Sequence, residues 1–193
     1  MSATGPGESE IMKSLELIRA CGLRAEDPII DVGGAAEALV SALLSAGFND
    51  LTVVDPSLEG LERLRERLDH ADELTLIHQE VTHFRPHRRY ALWHDRGLFH
   101  FLTHPDDRQE YIEVLQQALR PEGQLVLVTA GPEGPPGLGG VPVVRYTPQS
   151  LLAALGGQFE LAEHSLGVHL TPTGESHQLL HARLRRHAPR WPR

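Results

Sequence analysis

Apolar positions along the chain change their period several times, and each change marks an element. Ile11, Leu15 and Ile18 recur three or four apart, which predicts an amphipathic helix. Pro28 interrupts helical structure, and the run Ile29-Ile30-Asp31-Val32 reads as a short buried strand. Ala38, Val40, Leu43 and Leu44 return to helical spacing, ending near Gly47. The alternation then repeats. "LTVVD" (Leu51 to Asp55) is a strand, Ser57 an N-cap, and Leu58, Leu61, Leu64 and Leu68 one helical face. "LTLIH" (Leu74 to His78) and "YALWH" (Tyr90 to His94) add two strands. Pro105 and Asp106 open a helix with Tyr111, Val114, Leu115 and Ala118 on one side. The turn Pro121-Glu122-Gly123 introduces a fifth strand, "QLVLVTA" (Gln124 to Ala130).

Beyond it, "GPEGPPGLGG" (Gly131 to Gly140) is a loop by its Gly and Pro content, and a short helix covers Ser150 to Leu155. A strand begins at Phe159 to Ala162, and "HQLLHARLR" alternates Leu180, Ala182 and Leu184 against His181, Arg183 and Arg185. With a turn around Pro172 to Gly174, these form an antiparallel hairpin. Strands alternating with helices imply a mostly parallel α/β sheet covered on both faces, with ligands beyond the carboxyl ends of its strands. The 193 residues read as one domain, with residues 1–8 a loose start and 187–193 a loose basic tail.

Composition narrows the class. Forty per cent hydrophobic and 23% charged residues describe an ordinary folded domain, and a net charge of -8 speaks against a protein that coats nucleic acid. The basic end "RLRRHAPRWPR" reads as a solvated terminus. One cysteine, Cys21, fits a reducing compartment; the start "MSATGPGESE" lacks a signal-peptide pattern and no apolar run is long enough for a bilayer, so a cytoplasmic protein is expected. Twelve histidines raise the question of metal, but the spacing of His94, His100 and His104 matches no established ligand set, and no metal is expected.

Four strand ends carry polar groups toward a common crevice: Asp31 to Glu37, Asp55, Glu80, and Asp95-Arg96. Asp55 lies 22 positions beyond Gly33, the separation that sets a carboxylate at the neighbouring strand end, where it can accept from both hydroxyls of a ribose. The turn Gly33-Gly34-Ala35-Ala36-Glu37 is not a phosphate cradle, because Glu37 places negative charge in the first helical turn. Asp31 suits a cationic ligand end. An adenosine compound with an ammonium and no phosphates therefore fits better than NAD.

On "IIDVGG", "LTVVD", "QEVTHF", "WHDRGLFHFL", "LRPEGQLVLVT" and "VHLTPTGESHQ", the chain resembles the class I S-adenosylmethionine-dependent methyltransferases, and more narrowly small bacterial members with a WHDRxxFHFL-type segment. The resemblance spans Pro28 to Leu184. It implies a Rossmann-like fold: a seven-stranded, mostly parallel sheet with the last strand antiparallel and helices on both faces. It also implies S-adenosylmethionine as cofactor. Asp31, Gly33, Gly34 and Ala35 would border its methionine end, Asp55 take the ribose, and Pro56, Glu80 and Val81 flank adenine. Asp95 and Arg96 would close the site, and the acceptor, a small molecule or a protein side chain, would approach near His100. His100 and Asp95 are the candidates to accept a proton. From the residues alone, His100 is equally a packed helix histidine, and Asp95-Arg96 a structural ion pair. The loop from Gly131 to Gly140 is a candidate lid. A non-catalytic binding module of the same fold is the alternative function, resting on Ala35 and Glu37.

Overall fold

The computed structural model describes residues 6–33, 37–68, 72–170 and 174–188. Seven strands form one sheet: β1 (Ile29–Val32), β2 (Leu51–Asp55), β3 (Leu74–His78), β4 (Tyr90–Arg96), β5 (Leu119–Ala130), β8 (Phe159–Leu170) and β9 (Ser176–Arg186). A separate two-stranded hairpin, β6 (Gly137–Leu138) with β7 (Val141–Pro142), lies between β5 and β8 in the chain. The sheet order is β3-β2-β1-β4-β5-β9-β8. β1 to β5 run parallel, and β9, last in the chain, is antiparallel to both its neighbours.

β1 and β2 are buried at every position because helices cover both sheet faces. On one face α1 (Pro6–Arg19), α2 (Glu37–Ser45) and α3 (Leu58–Arg67) pack Leu17, Ile18, Leu39, Leu43 and Leu64 against Ile29, Val53, Leu92 and Val126. On the other, α4 (Pro105–Ala118) and α5 (Pro148–Leu155) pack Tyr111, Leu115, Leu151 and Leu155 against Ile30, Trp93, Leu127 and Leu180.

Several boundaries differ from expectation for local reasons. α1 starts at Pro6, within the segment expected to be loose. Pro121-Glu122-Gly123 does not precede β5 but bulges out of it: β4 pairing passes from Tyr90–Leu119 to Leu92–Gln124, with Glu122 left-handed at φ 60°. The first four residues of the basic end, 183–186, are strand. β9 takes up Arg183, Arg185 and Arg186, which meet Glu163 at 3.4 Å, Glu122 at 2.9 Å and the Gln116 carbonyl at 2.6 Å respectively.

Candidate active site

Strand register aligns the crevice. Asp31 pairs with Val53, Asp55 with His78, and Val32 with both Val54 and Asp95, so the carboxyl ends of β3, β2, β1 and β4 lie side by side. Asp31, Gly33, Asp55, Pro56, Glu80, Val81, Asp95 and Arg96 therefore come to one sheet edge; Gly34 and Ala35 lie outside the described residues.

At the end of β1 the Asp31 carboxylate is buried, and its Oδ1 accepts from His94 Nδ1 at 2.6 Å. The other ring nitrogen of His94 lies 3.0 Å from the Ser14 hydroxyl of α1. Asp31 Oδ2 is buried with no hydrogen-bond partner among the described residues. Such an acceptor is costly to leave unmatched, on the order of 1–3 kcal/mol, so it calls for a donor. Gly33 follows at φ 63°, and a Cβ there would stand 2.8 Å from Leu98 Cδ1. Gly33→Ala is therefore expected to cost about 2 kcal/mol and lower Tm by about 4–8 °C. Calorimetric unfolding checks this; an unchanged Tm would show that the turn relaxes freely.

The ends of β2 and β3 are tied together. Asp55 Oδ1 accepts from Ser57 N at 2.7 Å, and Ser57 in turn caps α3 through Gly60 N at 3.1 Å. His78 Nε2 stands 2.9 Å from the Pro56 carbonyl, and Gln79 N donates to the Asp55 carbonyl at 3.2 Å. Glu80 is exposed at the head of the short turn Val81–His83, with Val81 buried beneath it. Glu37 meets Arg67 of α3 at 2.6 Å, an exposed pair that leaves an acid in the first turn of α2.

At the end of β4, Asp95 and Arg96 point to opposite faces, as successive strand residues must, and they form no ion pair. Asp95 is fully buried on the α4 side. Its carboxylate accepts from Leu98 N at 2.8 Å, Phe99 N at 3.1 Å and the Tyr111 hydroxyl at 2.7 Å; that hydroxyl accepts from Trp93 Nε1 at 2.9 Å. Burial pushes the Asp95 carboxyl up to about 6, against the opposing pull of these donors. With three donors on it, Asp95 is built to hold the turn Phe99–Phe101, which makes it a positioning group. Trp93 and Tyr111 read from the sequence as plain core; the available signal was two polar-tipped aromatics on elements that face each other.

His100 lies in that turn, 3% exposed, and its Nδ1 accepts from Ala130 N at 3.1 Å. Burial lowers its pKa to about 4. The ring is therefore neutral near pH 7, with its proton on Nε2, which has no partner among the described residues. In this tautomer His100 can donate a hydrogen bond but has no free nitrogen to take a proton.

α1 covers the opposite face with polar contacts that sequence reasoning missed. Glu10 and Ser14, four apart, share one side of the helix. Glu10 Oε2 accepts from His181 Nε2 of β9 at 2.6 Å, in a pair that is almost fully buried. Burial pushes the Glu10 carboxyl up, yet the hydrogen bond and charge of His181, with His169 and Arg96 beyond, hold it below the usual carboxylate range. Among the described residues no three His, Cys, Asp or Glu side chains converge to hold a metal ion, and no helix is long and apolar enough to cross a membrane.

Residues 29–123 match the family described as methyltransferase domain. No curated protein matches the chain. Among solved structures, the N-methyltransferase NodS of Bradyrhizobium japonicum WM9, in complex with S-adenosyl-L-homocysteine, has a TM-score of 0.77 at 17% identity, over 96% of this chain and 89% of its own. The 1,6-didemethyltoxoflavin-N1-methyltransferase of Burkholderia thailandensis has a TM-score of 0.69 at 17% identity, over 97% and 92%. These likenesses establish a shared Rossmann-like fold. The domain match and the sheet order support the class I S-adenosylmethionine-dependent methyltransferase family. This chain carries a methyltransferase domain and is an enzyme of that type, with S-adenosylmethionine as its cofactor.

Proposed function

We propose that the edge formed by β3, β2, β1 and β4 holds S-adenosylmethionine, and that the methyl group passes there to a nucleophile arriving with its lone pair free, such as an amine or ring nitrogen of a small molecule or a side chain. The observation that carries this reading is the buried, unpartnered Oδ2 of Asp31, matched to an ammonium. The residues present fit such a ligand. Asp55 supplies acceptor oxygens for a ribose, Pro56, Glu80 and Val81 border a flat base, and the acid Glu37 disfavours a phosphate at α2. When bound, the cofactor supplies a methyl group activated by a positively charged sulfur.

The chain's own residues act chiefly by positioning. Asp95, Tyr111 and Trp93 fix the turn that carries His100, and His100 Nε2–H is available to orient an acceptor. Neither Asp95 nor His100 offers a free base, which is why the acceptor must not require one. We read "WHDRGLFHFL" as the mark of the small bacterial members of the class, since its Trp, Asp and His are the residues that build this turn.

Titration calorimetry with S-adenosylmethionine, S-adenosylhomocysteine and NAD tests the cofactor site: binding of the first two and not the third is expected, and binding of none would favour the non-catalytic module. Cell extract supplied with an isotopically labelled methyl donor then tests the acceptor class by the atom labelled.

The segment after β5 borders the acceptor side. Gly131 N donates to the Gln178 carbonyl and Glu133 N to Gln178 Oε1, each at 2.9 Å, while Val144 N donates to the His100 carbonyl at 2.8 Å. Gln178→Ala removes one of these anchors, a loss of about 1 kcal/mol. It is expected to raise the acceptor KM up to about five-fold with cofactor affinity unchanged. An unchanged acceptor KM would dismiss a covering role for the segment.

A further inference from the structure

β8 is the outermost strand of the sheet, and among the described residues nothing pairs with its outer edge. A bulge between Leu161 and Glu163 breaks its lower half, but from Glu163 to Leu170 it runs in regular register with β9. Leu166 lies opposite Leu180, a core residue on the α4 and α5 face, so Leu166, Val168 and Leu170 all point to that face. They stand 51%, 61% and 53% exposed. The opposite face of the same stretch carries Glu163, Ser165, Gly167 and His169. Soluble proteins protect open edges with Lys, Pro, bulges or covering segments. This stretch has no Lys, Arg or Pro, and its bulge lies outside it.

The stretch is also complementary to itself. Laid antiparallel to a second copy about Leu166, residues 163–169 overlap completely. Glu163 of each chain then faces His169 of the other on one side of the sheet. Leu166 meets Leu166 on the other side, flanked by Val168 and Leu170 of both copies. The residues of a pair share a face in this register: Val168 of each copy faces His164 of the other, and the apolar contact across the junction is centred on Leu166 with the two Val168 side chains beside it. Free N–H and C=O groups along both edges gain partners at the same time.

We infer that two copies of this chain pair through β8, antiparallel about Leu166, to form one continuous fourteen-stranded sheet, twice the seven strands of each copy. The interface is isologous, with each chain's β8 offering the same patch.

Sedimentation of the full chain at micromolar concentration is expected to give a dimer, and Val168→Lys a monomer with unchanged circular dichroism and cofactor affinity. Cross-linking fixes the register. Directly opposed strand residues have Cα atoms about 4.5–5.5 Å apart, within disulfide reach, so Leu166→Cys should give a covalent dimer under mild oxidation. Val168→Cys should not, because its copies lie four residues apart along the strands, roughly 13 Å. The native Cys21 is a quiet background, its thiol pushed by burial up to about 12. A monomeric wild-type chain, a dimer indifferent to Val168→Lys, or cross-linking at 168 but not at 166 would each overturn the proposal.

Discussion

Replacing Asp55 by Ala is expected to weaken S-adenosylmethionine binding by at least about 100-fold, because hydrogen bonds to a carboxylate in a water-poor site are worth roughly 1.5–3 kcal/mol each. The Asp55 side chain is 7% exposed and its Oδ1 already holds Ser57 N at 2.7 Å, which fixes the carboxylate at the end of β2. The same bond makes Ala a blunt probe, since it also loosens the start of α3. Asp55→Asn separates the two effects. Its amide oxygen can still accept from Ser57 N, while the second oxygen becomes a donor and is lost to a ribose hydroxyl. Asn is therefore expected to keep the wild-type Tm and to weaken binding about ten-fold. Calorimetric titration of both variants decides the matter: full affinity in Asp55→Ala would sink the ribose assignment, and a loss in Ala that Asn restores completely would assign Asp55 to the fold alone.

Much of this architecture was legible in the chain. β1 and β2 begin and end where their apolar runs do, because a strand buried on both faces is built mostly from apolar residues; β3, a half-exposed edge strand, is legible from its alternation instead. Ser57 was readable as an N-cap for the same local reason, a side chain bonding the backbone three residues on. What the chain concealed is pairing between distant residues. Asp95 and Arg96 are adjacent charges in the sequence, yet strand alternation sends them to opposite faces, and the carboxylate's partner is Tyr111 on α4. Glu10 and Ser14 look like ordinary polar residues of an amphipathic helix, and only the sheet beneath shows that each meets a buried histidine. His100 was visible as a candidate; its tautomer, which decides between donor and base, depends on Ala130 N, a group no side-chain pattern can reveal.

Asp95 and His100 are expected to give the protein two opposed pH dependences that nearly cancel until one residue is replaced. The Asp95 carboxyl rises from 3.8 to about 6 in the folded chain, chiefly through burial. Between those values the folded state binds more protons than the unfolded one, so this group's contribution to stability is present in full at low pH and is lost as pH rises toward 6. The His100 imidazole moves the other way, from 6.5 to about 4, again by burial. There the unfolded state binds more protons, and this group's contribution grows as pH rises toward 6.5. Each shift corresponds to on the order of 3 kcal/mol across the window. The Glu10 carboxyl, held low beside His181, and the Asp27 carboxyl, held low chiefly by the Arg24 amide against burial with Arg120 adding to it, contribute slopes of their own. Both are common to every variant, so differences from wild type isolate the pair. Asp95→Asn should leave a stability that climbs with pH between 4 and 6.5. His100→Asn, whose amide oxygen can still accept from Ala130 N, should leave one that falls over 4 to 6. Urea unfolding at half-unit pH steps measures both. Difference curves that are flat for either variant would mean that its group titrates alike in the folded and unfolded chain, and that burial at the end of β4 does not hold Asp95 up or His100 down.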